Sequence, residues 1–224
     1  MREGLYAIVD VDAWRARGVE LGSEGVLEAI AEGILGAKPS MLQLRAKQED
    51  ARTTLALLRR LRPLTRRAGV PLVANDRVDL ALLADADVVH VGQDDLALAD
   101  VRRIAPSLQV GLSTHDERQL DEAIAAAPSY VAFGPVFGTK SKREADPTVG
   151  TARLASAVER AQRAHVPLVA IGGITHERLA EVASSGARWV AVIGALVVLD
   201  ARGRPDVAAI EARARGLAAI GERA

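Results

Sequence analysis

No cysteine occurs in the chain, which excludes disulfides, thiolate catalysis and zinc sites built on sulfur. Aromatic residues make up only 3%, too few for the stacking platforms of a single-strand nucleic-acid binder. An excess of one charge is also missing, since Lys+Arg and Asp+Glu each total 29. No global field therefore attracts nucleic acid or an anionic membrane. No apolar run approaches the length that spans a bilayer. The opening stretch Met1–Asp10 meets acid too early for a secretory signal. These absences predict a soluble cytoplasmic protein with neither nucleic acid nor membrane as partner, and they leave homo-oligomer formation open.

What is present is a regular alternation. With 49% hydrophobic residues in 224, the chain can bury a sizeable core. Short apolar runs that read as strands are Leu5–Val9, Met41–Leu44, Leu72–Ala74, Val88–Val91, Gln109–Leu112, Tyr130–Phe133, Leu168–Ile171 and Trp189–Val192. Helix-like stretches lie between and after them: Glu24–Leu35, Ala51–Arg67, Val78–Leu83, Leu98–Ile104, Glu117–Ala126, Thr151–Ala164, Glu177–Ser184 and Asp206–Ile220. In the second, Leu55, Leu58, Leu61 and Leu64 share one face, and Arg52, Arg59, Arg62 and Arg66 take the other. Pro63 should kink or end that helix, and Gly69 should cap it. The sequence Val-Pro-Leu-Val-Ala opens two strands, at 70–74 and 166–170, where Pro loses no ladder hydrogen bond. Eight strand–helix units predict an α/β fold, a (β/α)₈ TIM barrel forming a single domain over residues 1–224. A doubly wound open sheet is the competitor, but it seldom needs eight regular units. Val11–Gly22 is longer than its connection requires and receives no role.

A barrel carries its chemistry at the C-terminal ends of its strands, and those ends are polar here. Strand two gives Gln43, Arg45 and Lys47 at period two. Strand three ends in Asn75-Asp76, strand four in His90 and Asp94-Asp95, strand five in Ser113-Thr-His115. After strand six, Gly134-Pro135 breaks the ladder, and the Gly138–Gly150 loop brings Thr139, Lys140, Ser141 and Lys142. That cluster of hydroxyls and ammonium groups reads as an anion site or as a solvated basic loop. Strands seven and eight end in Gly172-Gly173 and Ile193-Gly194. Each feature also has a plain structural reading: Asn75-Asp76 or Asp94-Asp95 could cap the helix that follows, and His90 reads as a hydrogen-bonded core residue. Taken together, three cations (Arg45, Lys47, Lys142) converge with Asp76 and either Asp94 or Asp95. Mixed signs in one pocket suit Mg²⁺ bridging carboxylates to a diphosphate. Glycine pairs after strands seven and eight suit a second phosphate held by backbone N–H groups.

The segments Gln43-Leu-Arg45-Ala-Lys47, Asn75-Asp76, His90-Val-Gly-Gln-Asp-Asp95-Leu, Gly111-Leu-Ser113, Gly134-Pro-Val-Phe-Gly-Thr139-Lys-Ser141-Lys142 and Ile171-Gly-Gly173-Ile resemble the thiamine-phosphate synthase family, in order and over nearly the whole chain. The resemblance implies small-molecule substrates. A pyrimidine diphosphate would be joined to a thiazole phosphate with release of pyrophosphate, by a dissociative, Mg²⁺-assisted route. It implies that Gln43, Arg45, Lys47, Asn75, Ser113 and Lys142 hold the pyrimidine diphosphate. It also implies that Asp76 and Asp95 bind Mg²⁺, and that Thr139, Lys140, Ser141, Gly173, Ile193 and Gly194 hold the thiazole phosphate. The loop after strand six would act as a lid. Three positions depart from the family pattern: Ser141 replaces Thr, Gly138 replaces Pro, and Gly194 replaces Ser, with the loss of a hydroxyl. Two other readings keep the barrel: a thiazole tautomerase-like relative using His115, and a non-catalytic barrel that only binds phospholigands.

Overall fold

The computed structural model describes residues 2–138 and 147–222. Eight strands pair in parallel and in chain order into a closed barrel: β1 (Gly4–Asp10), β2 (Met41–Arg45), β3 (Leu72–Asn75), β4 (Val88–Val91), β5 (Gln109–Thr114), β6 (Tyr130–Phe133), β7 (Leu168–Ile171) and β8 (Trp189–Val192). β1 closes against β8, Tyr6 lying opposite Ala191. Around the barrel run α1 (Val11–Arg15), α2 (Val26–Gly36), α3 (Ala51–Ala68), α4 (Val78–Leu83), α5 (Leu98–Ile104), α6 (Glu117–Ala125), α7 (Gly150–Arg163), α8 (Leu179–Ser184) and α9 (Val207–Ala218). The expected architecture is therefore the observed one. Four of the expected strands, β4, β6, β7 and β8, match residue for residue, and so do α4 and α5.

Alternation along each strand divides the core in two. Outward residues such as Leu5, Ala7, Val9, Leu42, Leu44, Val89, Val131 and Phe133 pack against the helices. Inward ones, among them Tyr6, Ile8, Met41, Val73, Val88, Tyr130, Val169 and Ala191, fill the barrel. The fit inside is tight. A Cβ on Gly111 would overlap the Tyr130 ring, the residue opposite it on the next strand. Glycine at 111 is thus what lets a tyrosine stand upright in the barrel.

α3 corrects one expectation. Pro63 lies inside it and does not end it. The ring sits on the exposed face, where water can take up the carbonyl that Pro leaves without an N–H, while Leu57, Leu58, Leu61 and Leu64 anchor the turns on either side. The helix ends as expected, with Gly69 left-handed at φ 66°. Arg62, expected on the solvated face, instead forms a bidentate pair with Asp87 at 2.6 and 3.1 Å. Asp87 also accepts the Leu72 N–H, so it ties α3 to the start of β3. The Val11–Gly22 segment also has structure. It forms α1, capped by Asp10, and buries Trp14, Val19 and Leu21.

Candidate functional site

The C-terminal mouth of the barrel opens into a cavity of about 820 Å³. Gln43, Arg45, Lys47, Asn75, Asp76, Asp95, Ser113, Gly173, Ile193 and Gly194 all line it. Thr139, Lys140, Ser141 and Lys142, with the expected lid, lie outside the described residues.

On the β2–β4 side the charges arrive already paired. Arg45, at the end of β2, forms an ion pair with Asp10 at the end of β1, a side chain only 2% exposed. Asp10 also accepts the Ala13 N–H at 2.8 Å, so one carboxylate caps α1 and holds the guanidinium. Lys47 pairs with Asp76 at 2.6 Å. The chain turns sharply after β3: Asp76 has φ 60°, its N–H bonds the His90 carbonyl at 2.8 Å, and Arg77 N–H reaches back to Asn75 at 2.7 Å. A left-handed aspartate is uncommon and concentrates at sites where the fold must aim a side chain. Neither capping alternative holds, because the N-cap positions of α4 and α5 are Arg77 and Ala97, with no side-chain cap. Asp95 instead accepts the Gly92 N–H at 2.7 Å within its own loop.

Asp76 and Asp95 meet. Burial pushes the Asp76 carboxyl above the usual carboxylate range, Lys47 pulls it down, and the hydrogen-bonded Asp95 carboxyl pushes it up again. Two carboxylates this close are the donor set that a hard divalent cation relieves, and Mg²⁺ needs only one or two of them beside substrate oxygens and water. The residues therefore fit Mg²⁺. Among the described residues no cluster of three or more His, Cys, Asp or Glu could hold a metal, so a substrate would have to complete the shell.

The opposite wall is built from backbone. Val136 and Phe137 continue β6 by donating to Ile171 and Gly172 at 2.8 and 3.0 Å. Gly173 has φ 63°, and a Cβ there would sit 2.5 Å from the Gly138 carbonyl. Arg178 donates to the Gly173 carbonyl at 2.8 Å and stacks on Phe137 with its guanidinium carbon 4.6 Å from the ring centre. Ile193 leads into a single 3₁₀ turn, Gly194–Leu196. His115 lines the cavity and donates from Nδ1 to the Gly134 carbonyl at 2.7 Å.

Sequence reasoning missed Tyr6, Tyr130, Asp10 and Arg178. The first two sit in runs that read as plain strand. Asp10 ends β1, the strand whose end was left out of the polar inventory, and its place next to Arg45 in register was the signal available.

The comparisons agree with this geometry. The sequence model described as thiamine monophosphate synthase matches residues 6–196. A thiamine-phosphate synthase of Chloroflexus aurantiacus is 39% identical over 218 residues, covering 96% of this chain and 93% of that one. One from a Roseiflexus species is 43% identical over 198 residues, 88% of this chain and 79% of its own. Among solved structures, thiamine phosphate pyrophosphorylase from Pyrococcus furiosus superposes with a TM-score of 0.78 at 30% identity, over 98% of this chain and 95% of that one. With its barrel, its strand-end residues and its relatives in agreement, the chain belongs to the thiamine monophosphate synthase family.

Proposed function

We propose that this chain condenses 4-amino-2-methyl-5-hydroxymethylpyrimidine diphosphate with 4-methyl-5-(2-hydroxyethyl)thiazole phosphate, giving thiamine phosphate and pyrophosphate. The observation that carries the reading is the wall where Arg45, Lys47, Asp76 and Asp95 meet at one end of a single large cavity. Family membership supplies the substrates. Gln43, Arg45, Lys47, Asn75 and Ser113 hold the pyrimidine diphosphate, and Gly173, Ile193 and Gly194 hold the thiazole phosphate. Lys142 completes the first set, and Thr139, Lys140 and Ser141 the second. The domain spans residues 1–224 and works in the cytoplasm; among the described residues no helix is long and apolar enough to cross a membrane.

The chemistry asks little of the protein in covalent terms. Pyrophosphate departs first, leaving a pyrimidine methyl cation stabilised by its own amino group, and the thiazole nitrogen then attacks. Such a route needs no protein nucleophile, and a chain without cysteine is suited to it. Mg²⁺ held by Asp76 and Asp95 would supply charge neutralisation for the leaving group. Arg45 and Lys47 add preorganised positive charge, held in place by Asp10 and Asp76. The barrel aligns the two rings and keeps water from the cation.

The test is a pyrophosphate-release assay with both substrates and Mg²⁺, run beside Asp95→Ala and with excess EDTA. Turnover is expected in the wild type and a loss of about 10³-fold or more in both controls. Wild-type protein that binds thiazole phosphate yet releases no pyrophosphate would overturn the reading.

A further inference from the structure

Beneath the cavity floor, six polar side chains from six strands join in one unbroken line. Tyr6 donates its phenol proton to Gln43 Oε1. Tyr6 and Tyr130 oxygens lie 3.0 Å apart. Tyr130 oxygen lies 2.9 Å from His90 Nδ1, and His90 Nε2 lies 2.8 Å from Ser113 Oγ. At the other end Gln43 Nε2 donates to Asn75 Oδ1 at 2.6 Å. Tyr6, Gln43, Asn75, His90 and Ser113 also line the cavity, whereas Tyr130, 1% exposed, is wholly internal.

Proton counting gives this line a direction. Burial pushes both phenols well above their usual range, so each keeps its one proton. Tyr6 spends its proton on Gln43, so at the Tyr6–Tyr130 contact Tyr130 is the donor. Tyr130 has then spent its own, and its oxygen must accept from His90 Nδ1–H. In a neutral imidazole the Nε2 is then an acceptor, and Ser113 donates its hydroxyl proton to it. Ser113 is left facing the cavity with lone pairs only. At the far end Asn75 accepts through Oδ1, so its NH₂ remains to donate. Reversing the Gln43 amide would reverse every bond in the line, which makes direction a property with two discrete values.

We propose that Tyr6, Tyr130 and His90 are positioning residues whose one-way hydrogen-bond line presents an acceptor at Ser113 and a donor at Asn75, and so selects a ring carrying an amino group beside a ring-nitrogen acceptor over its oxo counterpart. The pyrimidine part rests on the proposed function; the direction of the line does not. An aminopyrimidine offers N–H to Ser113 and a bare nitrogen to the amide. The pyrimidinone inverts both, facing acceptor with acceptor and donor with donor. Sites that match a hydrogen-bonding group reject its mismatch by orders of magnitude, because buried polar groups are left unpaired.

Two measurements decide. In ¹⁵N-labelled protein, long-range proton–nitrogen correlation spectra should show His90 protonated on Nδ1 and bare on Nε2. The signal is assigned by its loss in His90→Gln or, if that variant does not fold, by elimination with His115→Gln, His165→Gln and His176→Gln. An Nε2–H tautomer or an imidazolium would overturn the direction. Then the diphosphates of the aminopyrimidine and of its pyrimidinone are titrated calorimetrically into wild type and Tyr6→Phe. Binding is read rather than turnover, since the oxo compound also loses the group that stabilises the cation. Wild type should prefer the amino compound by about 100-fold or more. In Tyr6→Phe, Tyr130 loses its acceptor and turns its proton onto His90. The tautomer should switch to Nε2–H, Ser113 should become a donor, and the preference should fall below about ten-fold. A Tyr6→Phe protein with the wild-type tautomer and preference would overturn the positioning role. Wild type that binds neither compound would overturn the pyrimidine assignment, and the spectrum would still decide the line.

Discussion

The two walls of the cavity are built by different means. On the β2–β5 side the lining is polar side chains: Gln43, Arg45, Lys47, Asn75, Asp76, Asp95 and Ser113. On the β6–β8 side the lining is rich in glycine, with Gly134, Gly172, Gly173 and Gly194 set among the side chains of Pro135, Ile171, Arg178 and Ile193. On the proposed function, the difference follows from what each wall carries. Full charges and a cation require ionised groups, and those need counter-ions to stand at a low-dielectric mouth: Asp10 for Arg45, Asp76 for Lys47. A lone phosphate can be met by N–H groups, which need close approach and hence no Cβ. One wall should therefore be sensitive to charge and the other to bulk.

Substitutions can set the walls apart. Asp10→Asn keeps an oxygen to accept the Ala13 N–H but removes the charge that holds Arg45. It should lower kcat/KM by about a hundred-fold with α1 intact by circular dichroism; an unchanged kcat/KM would show that Arg45 needs no partner. Gly173→Ala adds only a methyl, at φ 63° and against the Gly138 carbonyl. The KM for thiazole phosphate should rise by about thirty-fold with that for the pyrimidine unchanged. An equal rise in both would mean that the walls do not act independently. Gly194→Ser goes the other way, because a Cβ there meets nothing within 4 Å. It adds the hydroxyl that the family resemblance implies at this position and should lower the thiazole phosphate KM by about three-fold; an identical KM would show that the backbone suffices.

The smallest effect lies away from both walls. Glu28 chelates Arg60 at 2.7 Å through both carboxylate oxygens, and those bonds hold its pKa below the usual range. The stability it adds is present above the unfolded pKa, near 4.5, and is lost as pH falls through the lower folded value. Glu28→Gln should thus lower stability by about 0.5 kcal/mol at pH 7, given partial exposure, and by nothing measurable once wild-type Glu28 is protonated too. Equal losses at both pH values in urea titrations would contradict this.

The barrel was legible in the sequence because its signal is local and repeated. Each strand is a short apolar run closed by polar residues or by a glycine-containing break, and β4, β6, β7 and β8 need nothing beyond that rule. The charged wall was legible for the same reason, since Gln43 and Arg45 alternate on β2 and Lys47 keeps the spacing in the turn just beyond it. What stayed hidden depends on distance along the chain. Tyr6 and Tyr130 touch across 124 residues, and within their own strands both look like ordinary apolar positions. Arg62 looks solvated until the fold brings Asp87 to it. α1 has only five residues, too few for a helical period to show. Pro63 misled because proline is judged by its neighbours in sequence, whereas its tolerance in α3 depends on which way it faces.

The pairing of Gly111 with Tyr130 bears on how such a protein can change over generations. With the ring in place no side chain fits at 111, and without the ring a hole opens beside His90. Neither position can drift alone without passing through a strained or a loosened barrel. The two are bound to move as a pair, so that a lineage replacing the tyrosine with something smaller would gain freedom at 111 and surrender the phenol in the same step.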